Sequence, residues 1–226
     1  MTVLVALARS PREGAEMVLR GGRLPSTLLL IAVATAISIV HTLRFASEVS
    51  VEDVMFGPQR SPLIGTLLST LGVQMTSIVL YLVQRSWDAL LVVTALAPIL
   101  LWLLGATAVH AAARLAGIRR PFMPMLVLLG HATGVTRPLA DLAGIVLGSR
   151  GMGASLAQLV GGVALIWLGV LAWHGIRAHY GVTGGQALTI LVVAVVLFYL
   201  APLTVILVAV AAILVSAIVL EYVPAR

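Results

Sequence analysis

The sequence predicts an all-α, polytopic membrane bundle, and three observations carry that prediction. The 226 residues are 61% hydrophobic and only 10% charged. Mean hydropathy is +1.12. Apolar runs of about 20 residues, the length a helix needs to cross a bilayer core, recur along the chain. A water-soluble domain carries about 25% charged residues, because its surface must be solvated. A cytosolic enzyme, a secreted disulfide scaffold and a disordered tail are therefore excluded. Cysteine is absent, which also excludes thiol catalysis and thiolate metal sites.

The expected elements follow in chain order. Residues 1–22 open with a short apolar run, Thr2 to Ala8, followed by Arg9, Arg12, Glu13 and Glu16. That order is the reverse of a signal peptide. The segment is expected to be a retained cytoplasmic interfacial segment with short helices over residues 1–8 and 15–19. Residues 23–226 are expected to form a single transmembrane bundle domain. Its first span is residues 24–43. The next loop carries Glu48, Glu52 and Asp53 and is poor in arginine, as suits an outside loop. Residues 62–83 are studded with Thr66, Ser69, Thr70, Gln74, Thr76 and Ser77 and read as an external amphipathic or re-entrant helix.

The second span is residues 89–112. The connector after it holds Arg114, Arg119 and Arg120, the densest basic stretch between spans, and is assigned to the cytoplasm by the positive-inside rule. The third and fourth spans are residues 122–147 and 156–176. The last apolar stretch, 186–220, is too long for one ordinary span and contains Pro202; it reads as one tilted, kinked helix or two short ones. An even number of crossings must separate two cytoplasmic segments. The expected count is therefore five transmembrane helices with the amino terminus inside. Six or seven spans is the rival count, and seven would put Arg114–Arg120 outside.

Net charge is +6, and all 14 basic residues are arginine. They are scattered between apolar spans and form no stripe of the kind that binds nucleic acid. The partner they imply is the lipid bilayer, with a cell-membrane, multi-pass location and the amino terminus in the cytoplasm. No internal repeat and no inverted pair of broken helices is present.

Few residues are candidates for chemistry. Arg137 and Asp141 stand one turn apart within the third span, so they share a helix face. Charges at that depth cost at least about 2.5–3.5 kcal/mol each and are expected to pair. One reading is a polar site for an ion or lipid headgroup, with His131, Thr133 and Thr136 as polar neighbours. The other is a self-neutralised structural pair that also caps the Gly134 carbonyl freed by Pro138. Gly130, Gly134, Gly144 and Gly148 form two G-x-x-x-G pairs on nearly one face. They offer close helix packing within the bundle, or a face for a homodimer or other membrane subunits.

His110 and His174 share a level near the cytoplasmic side and raise a haem or metal hypothesis. No carboxylate stands near them in sequence to orient a ring. No cofactor and no metal is expected, and no nucleophile–base set points to an enzyme. Trp102 and Trp167 fall deep in their spans and are expected to pack, while Trp87 and Trp173 sit near span ends as interfacial anchors.

Four stretches carry a family resemblance: "ALARSPREGAEMVLRGGRLPSTLLL", "GATAVHAAARLAGIRRPF", "GHATGVTRPLADLAG" and "WHGIRAHYGVTGGQALTIL". Together they resemble the Yip-domain family, small five-span membrane proteins named for Ypt/Rab interaction. Ala116–Gly117 stands where that family often has a Gly-Gly pair. The resemblance implies a helical integral membrane protein without enzymatic chemistry, acting as a scaffold or interaction subunit. The Rab-binding role of eukaryotic relatives is not carried over, because the cytoplasmic lead is short. The arginine-only, Ala/Val/Leu/Gly-rich usage suits the bacterial type and an inner-membrane location. The alternative function is a small-solute or lipid transporter or permease subunit using Arg137 and Asp141.

Overall fold

The structure is a computed structural model that describes residues 3–51 and 73–200, with positions 56, 66, 70, 203 and 204. Every element among the described residues is helical: α1 (Val3–Arg9), α2 (Pro11–Gly21), α3 (Leu24–Glu48), α4 (Val73–Ala95), α5 (Ala97–Leu115), α6 (Met123–Leu147), α7 (Gly151–Tyr180) and α8 (Gly184–Leu200). Among the described residues, four helices are long and apolar enough to cross a membrane: α3, α4 over Thr76–Ala95, α5 and α7. The less apolar α6 lies at the centre, packing most extensively on α7 and then on α3. The expected break near Pro202, and everything from residue 205 on, lie outside the described residues.

Helix limits follow from local chemistry. Proline occupies the first turn of α2, α3, α5 and α6, where its missing N–H costs nothing and its fixed φ suits the helix. Helix α7 stops at Gly181, whose φ of 69° puts it in the left-handed region while its N–H reaches the Arg177 carbonyl.

The second span differs from its sequence-based limits. Residues 89–112 are not one helix. The chain turns at Leu96, between α4 and α5. Nor do residues 73–83 form a separate external helix, since they run on into residues 84–95 as α4. Most of residues 62–72 lies outside the described residues. Pro98 explains the turn. It has no N–H to give to the Thr94 carbonyl. That carbonyl instead accepts the buried Ser38 hydroxyl of α3 at 2.9 Å. The break is thus closed by a hydrogen bond from a neighbouring helix, as the interior of an apolar bundle requires.

Contacts fix the directions of the helices. Gly130, Gly134 and Gly144 of α6 lie against Thr27, Leu30 and His41 of α3. The offset is nearly constant, so α3 and α6 run parallel. Leu128 meets Gly175, Ala140 meets Gly161 and His179 reaches the Pro121 carbonyl, so α7 runs antiparallel to α6. Phe45 against Trp87 and Ser38 against Thr94 set α4 antiparallel to α3. His110 packs on Phe122 and Trp102 donates to the Leu126 carbonyl at 2.8 Å, which sets α5 antiparallel to α6. Helix α8 starts beside Trp173, whose indole N–H donates to the Gly184 carbonyl.

The amino-terminal helices belong to the same bundle. Gly14 allows α2 to lie directly on the Leu7 backbone of α1. Ala6, Leu7, Ala15 and Val18 are buried, and Trp167 of α7 donates to the Leu7 carbonyl at 3.0 Å. Both helices pack on α6, and α2 packs on α7 as well. Helix α2, the turn around Ile118 and the end of α7 therefore gather at one end of the bundle, while α1 reaches in to the middle of α7. Glu48, Gly148 and Arg150 gather at the other.

Candidate functional site: a charged cleft between α3, α6 and α7

The cleft is built on α6. Arg137 and Asp141 project from one face, one turn apart. Arg137 Nε donates to Asp141 Oδ2 at 3.1 Å, and its Nη2 lies 2.9 Å from Oδ1. A two-point contact of this kind is the strongest ion-pair geometry an arginine makes. Asp141 is 1% exposed and Arg137 25% exposed, so the carboxylate is sealed while the guanidinium edges into the cavity.

A third group arrives from α3. His41 Nδ1 stands 3.4 Å from Asp141 Oδ1. Its angle does not make a hydrogen bond, and Nδ1 is buried without another partner. The imidazole lies flat over Gly144, where any Cβ would collide with it. Glycine at 144 is thus what lets the ring reach the carboxylate. The contact was not readable in the sequence, because His41 and Asp141 lie a hundred residues apart and meet only through the parallel register of α3 and α6.

These groups open into a cavity of about 250 Å³ that also touches Phe45, Ser149, Ala157 and Gln158. It faces the end of the bundle where α6 gives way to α7. That end is fastened by Glu48, which accepts Arg44 Nε at 2.8 Å and the Ser149 N–H at 2.8 Å. The Arg150 guanidinium donates to the Glu48 carbonyl. Gly148, with φ of 82°, makes the turn; a side chain there would strain the backbone.

The other sequence-derived candidates lie elsewhere. His131 is ten residues before Asp141, about 15 Å along the helix. It forms its own polar cluster with Ser26 (3.3 Å), Thr27 (3.1 Å) and the Val127 carbonyl (2.9 Å). Thr136 donates back to the Ala132 carbonyl at 2.9 Å. Thr133 lines a separate apolar cavity of about 250 Å³ between α5, α6, α7 and α8, and its hydroxyl has no protein partner. Both recorded bonds of Arg137 go to Asp141; among the described residues no side chain is recorded on the Gly134 carbonyl. Gly130, Gly134 and Gly144 face α3, so three of the four glycines pack inside the bundle.

His110 and His174 do not converge. His110 Nδ1 pairs with the Tyr180 hydroxyl at 3.2 Å, whereas His174 lines a cavity with Arg12 and Glu16. Among the described residues no group of three or more His, Cys, Asp or Glu side chains is placed to hold a metal ion. Chemically, the cleft offers one neutralised ion pair, an imidazole, Ser149 and the Gln158 amide. That set can bind a small polar group or carry a proton. Comparison with protein-family models, with curated proteins and with solved structures returns no match.

Proposed function

We propose that the chain is a noncatalytic, Yip-like integral membrane protein that acts as a scaffold or interaction subunit. In this reading it crosses a bacterial inner membrane five times, by α3, the kinked α4–α5 return, α6, α7 and α8. The amino terminus is cytoplasmic, because the arginine-rich end is the end retained there. One observation carries the reading. The only two charged residues of α6 engage each other, with Asp141 sealed at 1% exposure. A pair engaged in this way is costly to break and leaves little charge to drive a transport cycle. The apolar window of α4, none of which is buried by the rest of the chain, supplies a surface for a membrane partner.

A second reading, a small-solute or lipid permease subunit, is favoured by the cavity that reaches Arg137, Asp141 and His41. One experiment separates the two. The protein is extracted from its own membranes in mild detergent, and its mass is measured without crosslinker. The scaffold reading predicts a species well above the 23.6 kDa chain, containing a second copy or another membrane protein. A lone chain that supports solute uptake in proteoliposomes, lost in Asp141→Asn, would overturn it in favour of the permease.

A further inference from the structure

A second polar cavity, of about 200 Å³, lies at the arginine-rich end between α2 and α7. Arg12, Glu16, His174, Arg177, Ala178 and Val182 line it. Helix α2 is amphipathic, with Gly14, Ala15 and Val18 turned into the bundle and Arg12, Glu16 and Arg20 turned out. Its single carboxylate at this point is shared. Glu16 accepts Arg12 Nε at 3.2 Å and Arg20 Nη2 at 3.1 Å. Glu16 thus bridges two guanidiniums, and with Glu13 also on α2 the charges of that helix balance.

Arg177 makes the cavity lining net positive, because Arg12 and Glu16 offset each other. Among the described residues it has no carboxylate within ion-pair distance. Its guanidinium instead sits 4.8 Å from the centre of the Trp173 ring. That indole has its N–H engaged by Gly184, and tryptophan at a span end belongs at headgroup level. A cationic cavity between an amphipathic helix and a spanning helix, beside such an indole, has the chemistry that holds phosphate groups. Arginine suits it, because its planar fork matches two phosphate oxygens at once.

We propose that this cavity binds a phosphate-bearing anion, with Arg177 and Arg12 as the principal donors. The anion is the phosphodiester of an anionic phospholipid or a soluble phosphate compound. Glu16 is the internal competitor that holds Arg12 and Arg20 when the cavity is empty. The site is independent of the scaffold reading and lies at the opposite end of the bundle from the α6 ion pair.

The test uses the full chain in detergent. It is titrated with phosphatidylglycerol, with zwitterionic phosphatidylcholine as the comparison, and bound lipid is read by native mass spectrometry. The chain should retain phosphatidylglycerol in preference. The double variant Arg12→Gln/Arg177→Gln should weaken that binding roughly 30-fold, from the loss of two arginines near the surface. Arg119→Gln/Arg120→Gln removes the same charge from the same end but outside the cavity, and should leave binding nearly unchanged. Glu16→Gln frees two arginines and should tighten binding by roughly 5-fold, a gain that misfolding cannot imitate. Displacement of the lipid by millimolar inorganic phosphate assigns the soluble ligand, and resistance to it assigns the headgroup. Equal losses in the two double variants, or no gain in Glu16→Gln, would overturn the proposal.

Discussion

Arg137 and Asp141 are the residues on which the interior depends most. A carboxylate at 1% exposure depends on the partner beside it. Removing one member of a buried pair costs about 3–5 kcal/mol, because the other is left unpaired. Arg137→Leu should therefore lower stability by about that amount. Arg119→Leu, in the exposed turn after α5, should cost no more than about 1 kcal/mol. Thermal unfolding of the two variants in the same detergent measures the difference, and equal midpoints would mean that the pair carries no such weight. The Arg–Asp partnership was legible in the sequence, because i,i+4 spacing needs only a helix. His41 was not, because its approach depends on the register of two helices and on the bare backbone at Gly144. His131 was misplaced for a related reason. It shares α6 with the pair, but ten residues put it nearly three turns away, among hydroxyls supplied by α3.

Helix α3 starts as expected but runs on from residue 43 to Glu48, and α7 exceeds the expected 156–176 at both ends. The limits of α6 follow directly from sequence, since a first-turn proline and a C-terminal glycine bracket its apolar run. The α4–α5 region does not. Hydropathy stays high through residues 89–112 and predicts a span across Leu96, although Pro98 is a local signal for a break. Whether such a proline ends a helix or is absorbed depends on a donor from elsewhere, here Ser38. Ser38→Ala should remove the only recorded side-chain donor to the Thr94 carbonyl and destabilise the protein by about 1–2 kcal/mol. Ser38→Thr, which keeps the hydroxyl, should recover most of the loss. Unfolding midpoints of both variants check this, and an unchanged Ser38→Ala protein would show that the kink needs no outside donor.

Across the whole molecule, alternating helix directions follow from two constraints. Each pass must return the chain to the opposite face, and most arginines outside the spans collect at one end, with Arg44 and Arg150 at the other. The sequence revealed the second constraint plainly. The packing of α1 and α2 into the bundle was less visible, because nothing local shows that Leu7 meets Trp167. The two ends of the bundle consequently have different characters. One carries α2, Arg114–Arg120 and Arg177; the other carries Glu48 and the cleft.

The account rests on those ends facing opposite sides of a membrane, and the cysteine-free sequence allows a clean measurement. Ala116→Cys lies in the exposed turn of the arginine-rich end, and Met152→Cys lies at the other end, 81% exposed. An impermeant thiol reagent added to intact cells should label Cys at 152 and spare Cys at 116 until the membrane is opened. Labelling of both positions in intact cells, or of 116 alone, would contradict the account.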